Sequence, residues 1–158
     1  MADDKRRTHL ELNRRSGLRL QRLVAGLSGD APTWTVATGG EWSIGMELAH
    51  MAFWDRFVAE RWQNAERTNL STPAIVDLSL FDLINDAAVP GWSLIASGDA
   101  ARMAVVAADE VNAVIAALPG YAVETLLAAG WTSLLDRSVH RDEHLEALER
   151  RITSPEPA

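Results

Sequence analysis

The sequence of 158 residues contains no cysteine. Disulfide bonds, thiolate metal ligands and a cysteine nucleophile are therefore excluded. The sequence also lacks a hydrophobic run long enough to span a membrane, and its first residues lead into charged residues rather than into the apolar segment of a signal peptide. From these absences we expect a cytoplasmic protein with no membrane partner.

Positive charge is also scarce. The chain has 15 Lys and Arg against 22 Asp and Glu, a formal net charge of -7. Binding to nucleic acid depends on clustered Lys and Arg that contact phosphates, and the only basic clusters are residues 5–7 and 14–15. Nucleic acid is therefore not an expected partner.

The residues that are present favour one helical domain. Hydrophobic residues make up 47% of the chain, and its length is sufficient for a core without disulfides or structural metal. We expect a single domain over residues 1–158, with an ordered core at about residues 8–152 and frayed termini.

Four long segments carry apolar residues at the spacing of an amphipathic helix. They are residues 8–27, residues 42–62 with Ser43 as N-cap, residues 97–118 with Ser97 as cap, and residues 132–152. Residues 77–88 are either a short helix or an irregular crossover that Pro90 ends, residues 33–41 are a loop, and residues 121–129 are a short helical turn. The pattern predicts an all-α four-helix bundle with a long crossover between the second and third helices.

Three histidines stand out in this arrangement. His140 and His144 are four residues apart in the last predicted helix, so they lie on one face about one turn apart, a spacing at which two imidazoles can share one metal ion. His50 is on the apolar face of the second helix and can supply a third ligand.

Three neutral imidazoles would leave a coordination position open for water or substrate, which is typical of a catalytic metal site. The alternative is that His50 is a hydrogen-bonded core residue and that His140 and His144 lie on a solvated helix. His9, near the start of the chain, is expected on the surface and is a weak candidate for a fourth ligand.

Two acidic residues near the histidines have alternative interpretations. Residues 140–144 also fit the H-x-x-E-H pattern of a peptidase with Glu143 as general base, but that pattern needs a carboxylate ligand well downstream. We expect Glu143 to pair with Arg137, Arg141 or Arg150 instead. Asp55 either orients a metal ligand or forms a salt bridge, for example to Arg137.

The stretches EWSIGMELAHMAFWDR at residues 41–56 and HRDEHL at residues 140–145 resemble the DinB/YfiT-like family of bacterial four-helix-bundle proteins. The first stretch matches a tryptophan-serine helix start, a histidine and then tryptophan-aspartate. The second matches an H-x-x-x-H on the last helix. The likeness extends to Pro90-Gly91-Trp92 and the helix that follows.

This resemblance implies a divalent metal ion, zinc or nickel, held by His50, His140 and His144, and a homodimer. It also implies relatedness to enzymes that use a low-molecular-weight thiol such as bacillithiol or mycothiol as cosubstrate.

The leading functional hypothesis is a metal-dependent enzyme, a thiol S-transferase or a hydrolase that acts on a small-molecule substrate. The alternative is a non-catalytic dimeric module that binds a ligand or is associated with stress. It is suggested by the alanine-rich third helix and by the lack of a recognisable substrate motif.

Overall fold

The structure, a computed structural model, describes residues 2–27, 42–77 and 79–153. Within these ranges the regular structure is entirely helical: α1 is Ala2–Gly26, α2 is Ile44–Arg67, α3 is Leu80–Trp92, α4 is Ser97–Ala117, α5 is Gly120–Ala129 and α6 is Ser138–Thr153. A short 3-10 helix, Thr132–Leu134, precedes α6. The predicted loop at residues 33–41, including Trp34, and the predicted frayed tail lie outside the described residues.

The four long helices α1, α2, α4 and α6 form a bundle, which confirms the predicted all-α fold. The most extensive packing is between α2 and α4, while α1 packs against both α4 and α6. The shorter α3 occupies the crossover that joins α2 to α4 and contacts α2. No single helix in the described ranges is long and apolar enough to cross a membrane, and only α4 and α5 taken together, bent by 102° at their break, reach that length and composition.

The close approach of α2 and α4 depends on small side chains. A β-carbon added at Gly45 would lie 2.7 Å from Oγ of Ser97, nearer than real β-carbons come to other heavy atoms. Along α4, alanines make up most of the buried face: Ala100, Ala101, Ala104, Ala107 and Ala108. These small side chains let α2 and α4 come close together.

Of the two predicted helix caps, the structure confirms one and moves the other. Oγ of Ser43 accepts a hydrogen bond from the backbone N–H of Met46 at 3.1 Å, so Ser43 is the N-cap of α2 as predicted. The prediction for Ser97 is wrong by one position, because Ala96 is the N-cap of α4 and Ser97 is its first residue. At the end of α5, Gly130 adopts the left-handed conformation, with φ of 74°, that glycine tolerates best.

The predicted end of α3 at Pro90 is wrong, since the helix continues to Trp92. Proline lacks a backbone N–H, so the carbonyl of Asp86 loses its helical partner. Asp86 is exposed, and this carbonyl can be solvated instead. Because only two helical residues follow Pro90, the loss of this hydrogen bond affects only the last turn of α3.

The predicted start of the last helix at residue 132 is also wrong, because α6 begins at Ser138. Its first N–H groups are held by side chains, one of them distant in sequence. Oδ1 of Asn13, on α1, accepts from the backbone N–H of Arg137 at 2.7 Å and of Ser138 at 3.2 Å. Oδ1 of Asp136 accepts from the same Ser138 N–H at 3.0 Å. The contact from α1 fixes where α6 begins.

A buried polar layer divides the hydrophobic core into two clusters. Along α2, Ala52 belongs to one cluster and Val58 to the other, and the buried Asp55 lies between them. Along the end of the chain, Leu135 and Leu145 belong to different clusters, and Arg141 lies between them. The buried residues of α1 that belong to this polar layer are Asn13 and Ser16.

Arg141 is the centre of the polar layer and is completely buried. Its Nε donates to Oδ2 of Asp55 on α2 at 2.6 Å. Its two terminal nitrogens donate to Oδ1 of Asn112, each at 3.1 Å, and to the carbonyls of Asn13 and Ala108, each at 3.3 Å. One side chain on α6 is thereby bonded to α1, α2 and α4.

Replacing Arg141 with methionine should destabilise the fold strongly. The hydrogen-bond acceptors of three helices would lose their buried donor, for which we expect a loss of about 3–5 kcal/mol in the free energy of unfolding. Urea denaturation followed by circular dichroism measures this loss. The matched control is Arg56→Met, which removes an exposed arginine in α2 and should change the stability by about 0.5 kcal/mol or less. Equal effects of the two substitutions would contradict the structural role of Arg141.

Candidate metal centre

His50, His140 and His144 meet at the interface of α2 and α6. One ring nitrogen from each lies within 4.8 Å of the other two. Nε2 of His50 and Nε2 of His140 are 3.2 Å apart, and the ring centroid of His144 lies 4.7 Å from those of both other histidines. The structure thus brings together the three histidines that the sequence singled out.

The spacing of these nitrogens is compatible with a shared ion. Two nitrogens at about 2.0–2.1 Å from one tetrahedral zinc ion lie roughly 3.3 Å apart. The pair formed by His50 and His140 already has this separation, and a ring nitrogen of His144 lies within 4.8 Å of both. The residues present therefore fit a metal ion in both their spacing and the chemistry of their donor atoms.

The environment keeps the buried rings uncharged. Burial is the main cause that lowers the pKa of His50 to about 3, and the charges of His144 and Arg137 add to it. Burial also lowers the pKa of His140 to about 2, again with a contribution from Arg137. At neutral pH both imidazoles are neutral, which is the state in which histidine binds metals.

Glu47 orients His144. Its Oε2 lies 2.7 Å from Nδ1 of His144, and an ionised carboxylate can only accept a hydrogen bond. With Nδ1 as the donor to this carboxylate, His144 can present the lone pair of Nε2 to an ion, the arrangement found in carboxylate–histidine–metal sites. Glu47 was not among the residues predicted for the site. The signal that could have identified it is its position three residues before His50, on the same helix face.

Arg137 contacts His140, the first histidine of α6. Its Nη2 is 3.3 Å from Nδ1 of His140, while its Nε donates to Oδ1 of Asp55 at 2.9 Å. Of the two roles predicted for Asp55, the structure shows the ion pair with Arg137, extended by a second ion pair with Arg141. Asp55 reaches His140 only through Arg137.

Tryptophans enclose His50, which is only 4% exposed. The centroid of its ring is 4.9 Å from that of Trp42, 5.1 Å from that of Trp92 and 6.3 Å from that of Trp54. Nδ1 of His50 is buried and has no hydrogen-bond partner within the part of the chain that the structure describes. The position of this ring is therefore set mainly by aromatic packing.

Two residues weighed as further site residues lie elsewhere. His9 is partly buried, and its Nδ1 is 2.9 Å from Oδ2 of Asp136, so it is engaged at the start of α6 rather than in the histidine group. Glu143 is exposed. Glu143 was expected to pair with Arg137, Arg141 or Arg150. In the structure Arg137 and Arg141 instead pair with Asp55, and Arg150 pairs with Glu146.

Comparison with known proteins identifies a family. A family model described as the DinB superfamily matches residues 12–157, a range that includes all three histidines of the cluster. No curated protein and no solved structure matches the chain.

Substitution of Glu47 should weaken metal binding. We expect the Kd for Zn²⁺ to rise about 10-fold in Glu47→Gln, which keeps an acceptor oxygen but loses the charge, and up to about 100-fold in Glu47→Ala. Competition with a chromophoric chelator measures these constants. The control is Glu143→Gln, which removes one negative charge from an exposed position on α6 and should leave the Kd unchanged. A Kd in Glu47→Ala equal to that of the parent would show that this carboxylate has no part in the site.

Proposed function

Because the chain belongs to the DinB superfamily, we propose that His50, His140 and His144 hold a divalent metal ion, zinc or nickel, and that the protein is a metal-dependent enzyme. The observation that carries the proposal is the convergence of three imidazole nitrogens from two helices within 4.8 Å of one another. In the proposed reaction, a thiol or a water molecule is the nucleophile and a small molecule is the substrate.

Three protein ligands leave a coordination position open, as in catalytic zinc sites. A divalent ion bound there lowers the pKa of a thiol or water in the open position, and so supplies a nucleophile at neutral pH. The two buried imidazoles are neutral and do not offset the charge of the ion. The Arg137 guanidinium, beside His140, adds a positive charge that favours an anionic nucleophile.

Thiol transfer is the first of the two reactions to test. The chain has no cysteine, so the thiol would come from a cosubstrate, a low-molecular-weight thiol of the bacillithiol or mycothiol type. Such thiols are kept reduced in the cytoplasm, which we propose as the location of the protein. The tryptophans around His50 would shield the nucleophile from bulk water and suit an apolar electrophile. With water as nucleophile, the same site would act as a hydrolase.

Metal analysis of untagged protein tests the proposal. We expect about one divalent ion for each parent chain, the same content in His9→Ala, and a content well below one ion in His50→Ala. The His9 variant is the matched control, because it also removes a histidine, one that contacts Asp136 rather than the cluster. Substoichiometric metal in the parent after incubation with zinc or nickel would refute the metal site.

A second measurement separates catalysis from mere binding. The metal-loaded protein is incubated with a low-molecular-weight thiol and an apolar electrophile, and the thioether product is followed with and without a chelator. Formation that depends on both metal and thiol supports the transferase. A metal-loaded protein that forms neither a thioether nor a hydrolysis product would favour the alternative of a non-catalytic ligand-binding module.

We also propose that the protein is a homodimer. Large apolar side chains are exposed in the crossover and on α3: Ile75 is 71% exposed, Leu83 63% and Leu94 87%. Where such side chains form a contiguous patch, they commonly mark a protein interface.

Introducing a charge on α3 should dissociate this dimer. Leu83→Lys would place an ammonium group in the apolar contact, whereas Leu18→Lys alters an exposed leucine of α1 and serves as control. By sedimentation velocity we expect a dimer for the parent and for Leu18→Lys, and a monomer with unchanged circular dichroism for Leu83→Lys. A monomeric parent at micromolar concentration would contradict the proposal.

A further inference from the structure

The two histidines of α6 have outer contacts of opposite chemistry. Nδ1 of His144 faces the carboxylate of Glu47, which accepts hydrogen bonds, whereas Nδ1 of His140 faces the guanidinium of Arg137, which can only donate them. A neutral imidazole has one N–H and one lone pair. The contact with Glu47 thus favours a proton on Nδ1 of His144, and the contact with Arg137 favours the His140 tautomer with its proton on Nε2.

The tautomer of His140 determines that of His50. Their Nε2 atoms are 3.2 Å apart, within hydrogen-bond distance. With its proton on Nε2, His140 is the donor of this bond, and the lone pair on Nε2 of His50 is the acceptor. His50 then carries its own proton on Nδ1, the buried atom enclosed by the tryptophans. In the metal-free protein, two of the three nitrogens that would bind an ion are thus engaged with each other, and one of them carries a proton.

We propose that Arg137 sets the affinity of the site for its metal ion, by holding His140 in the tautomer that cannot coordinate through Nε2. This proposal rests on the proposed function, since it concerns how the same three histidines take up an ion. Arg137 is a positioning residue that acts through His140.

Metal uptake requires one contact of Arg137 to break. Coordination through Nε2 moves the proton of the neutral His140 ring to Nδ1, with no net change in the number of protons. Nδ1–H would then face an N–H of the guanidinium, so Nη2 must withdraw. The ion pair of Nε with Asp55 and the hydrogen bond from Nη1 to the carbonyl of Ser133, at 3.3 Å, can remain. The movement is confined to one end of the side chain.

The positive charge near His140 also opposes metal binding, as its tautomer does. Asp55 is shared by Arg137 and Arg141, so one carboxylate faces two guanidinium groups. The excess positive charge lies beside His140 and opposes the approach of a cation. Because Arg141 continues to bind Asp55, removal of the Arg137 side chain does not leave this buried carboxylate without a partner.

The experiment combines spectroscopy of the metal-free protein with titrations of variants. Long-range ¹H–¹⁵N spectra distinguish protonated from unprotonated ring nitrogens, and we expect His140 of the parent to be protonated on Nε2 and His144 on Nδ1. In Arg137→Met we expect the Kd for Zn²⁺ to fall roughly 10- to 100-fold, the size of effect typical of an outer contact to a metal ligand.

Two further variants separate the contact from the charge. Arg137→Lys keeps the positive charge and the bond to Asp55, but it loses the planar guanidinium that also reaches His140. Its Kd for Zn²⁺ should therefore lie between those of the parent and Arg137→Met. Arg56→Met removes one exposed positive charge from α2 and should leave the Kd unchanged.

Each result decides between the proposals. His140 protonated on Nδ1 in the metal-free parent would overturn the role of Arg137 and leave the metal site standing, and this test needs no variant to fold. Equal Kd values for the parent and both Arg137 variants would likewise overturn the role of Arg137 and leave the metal site standing. Absence of binding in the parent and in both Arg137 variants would overturn the metal site together with the role of Arg137.

Discussion

The guanidinium of Arg141 is enclosed by the bundle, and its charge is balanced by Asp55 on another helix. A buried charge is tolerated only when its donors and its counter-ion are all supplied, because an unpaired ion in the interior costs several kcal/mol. The other acceptors are Asn112, the hydroxyl of Ser16 and the carbonyls of Asn13 and Ala108. The four long helices can satisfy Arg141 only in one relative register. Apolar packing alone specifies a register less strictly.

This register also determines the histidine cluster. His140 immediately precedes Arg141 on α6, and Arg137 directly precedes the first residue of that helix. On α2, Asp55 follows His50 by five residues. When both arginines reach Asp55, His140 and His144 are brought against His50. The polar layer and the candidate metal centre are therefore consequences of the same alignment of α2 with α6. A shift of α6 along its axis would disrupt both.

The sequence predicted the features that depend on local patterns. Helical periodicity gave the bundle, Ser43 capped α2 as expected, and the H-x-x-x-H spacing with a histidine on an apolar helix face identified the three rings that meet. The sequence-based predictions were wrong or incomplete where a residue distant in sequence determines the local structure. The start of α6 depends on Asn13, more than a hundred residues earlier. The contacts of Glu47 and Arg137 with the histidines depend on how two helices face each other, which no local pattern encodes.

Three different forces hold the three rings. His144 is held by a carboxylate, His140 by a guanidinium, and His50 by the packing of tryptophans around a ring whose Nδ1 has no polar partner among the described residues. Only the first contact pre-organises its ring for an ion, since a carboxylate acceptor directs the lone pair of the opposite nitrogen outward. The fold thus places three donor rings together without making the site maximally attractive to cations. Glu47 and Arg137 act in opposite directions on His144 and His140, which lie on neighbouring turns of α6. The affinity of the cluster therefore depends on their balance more than on the positions of the rings.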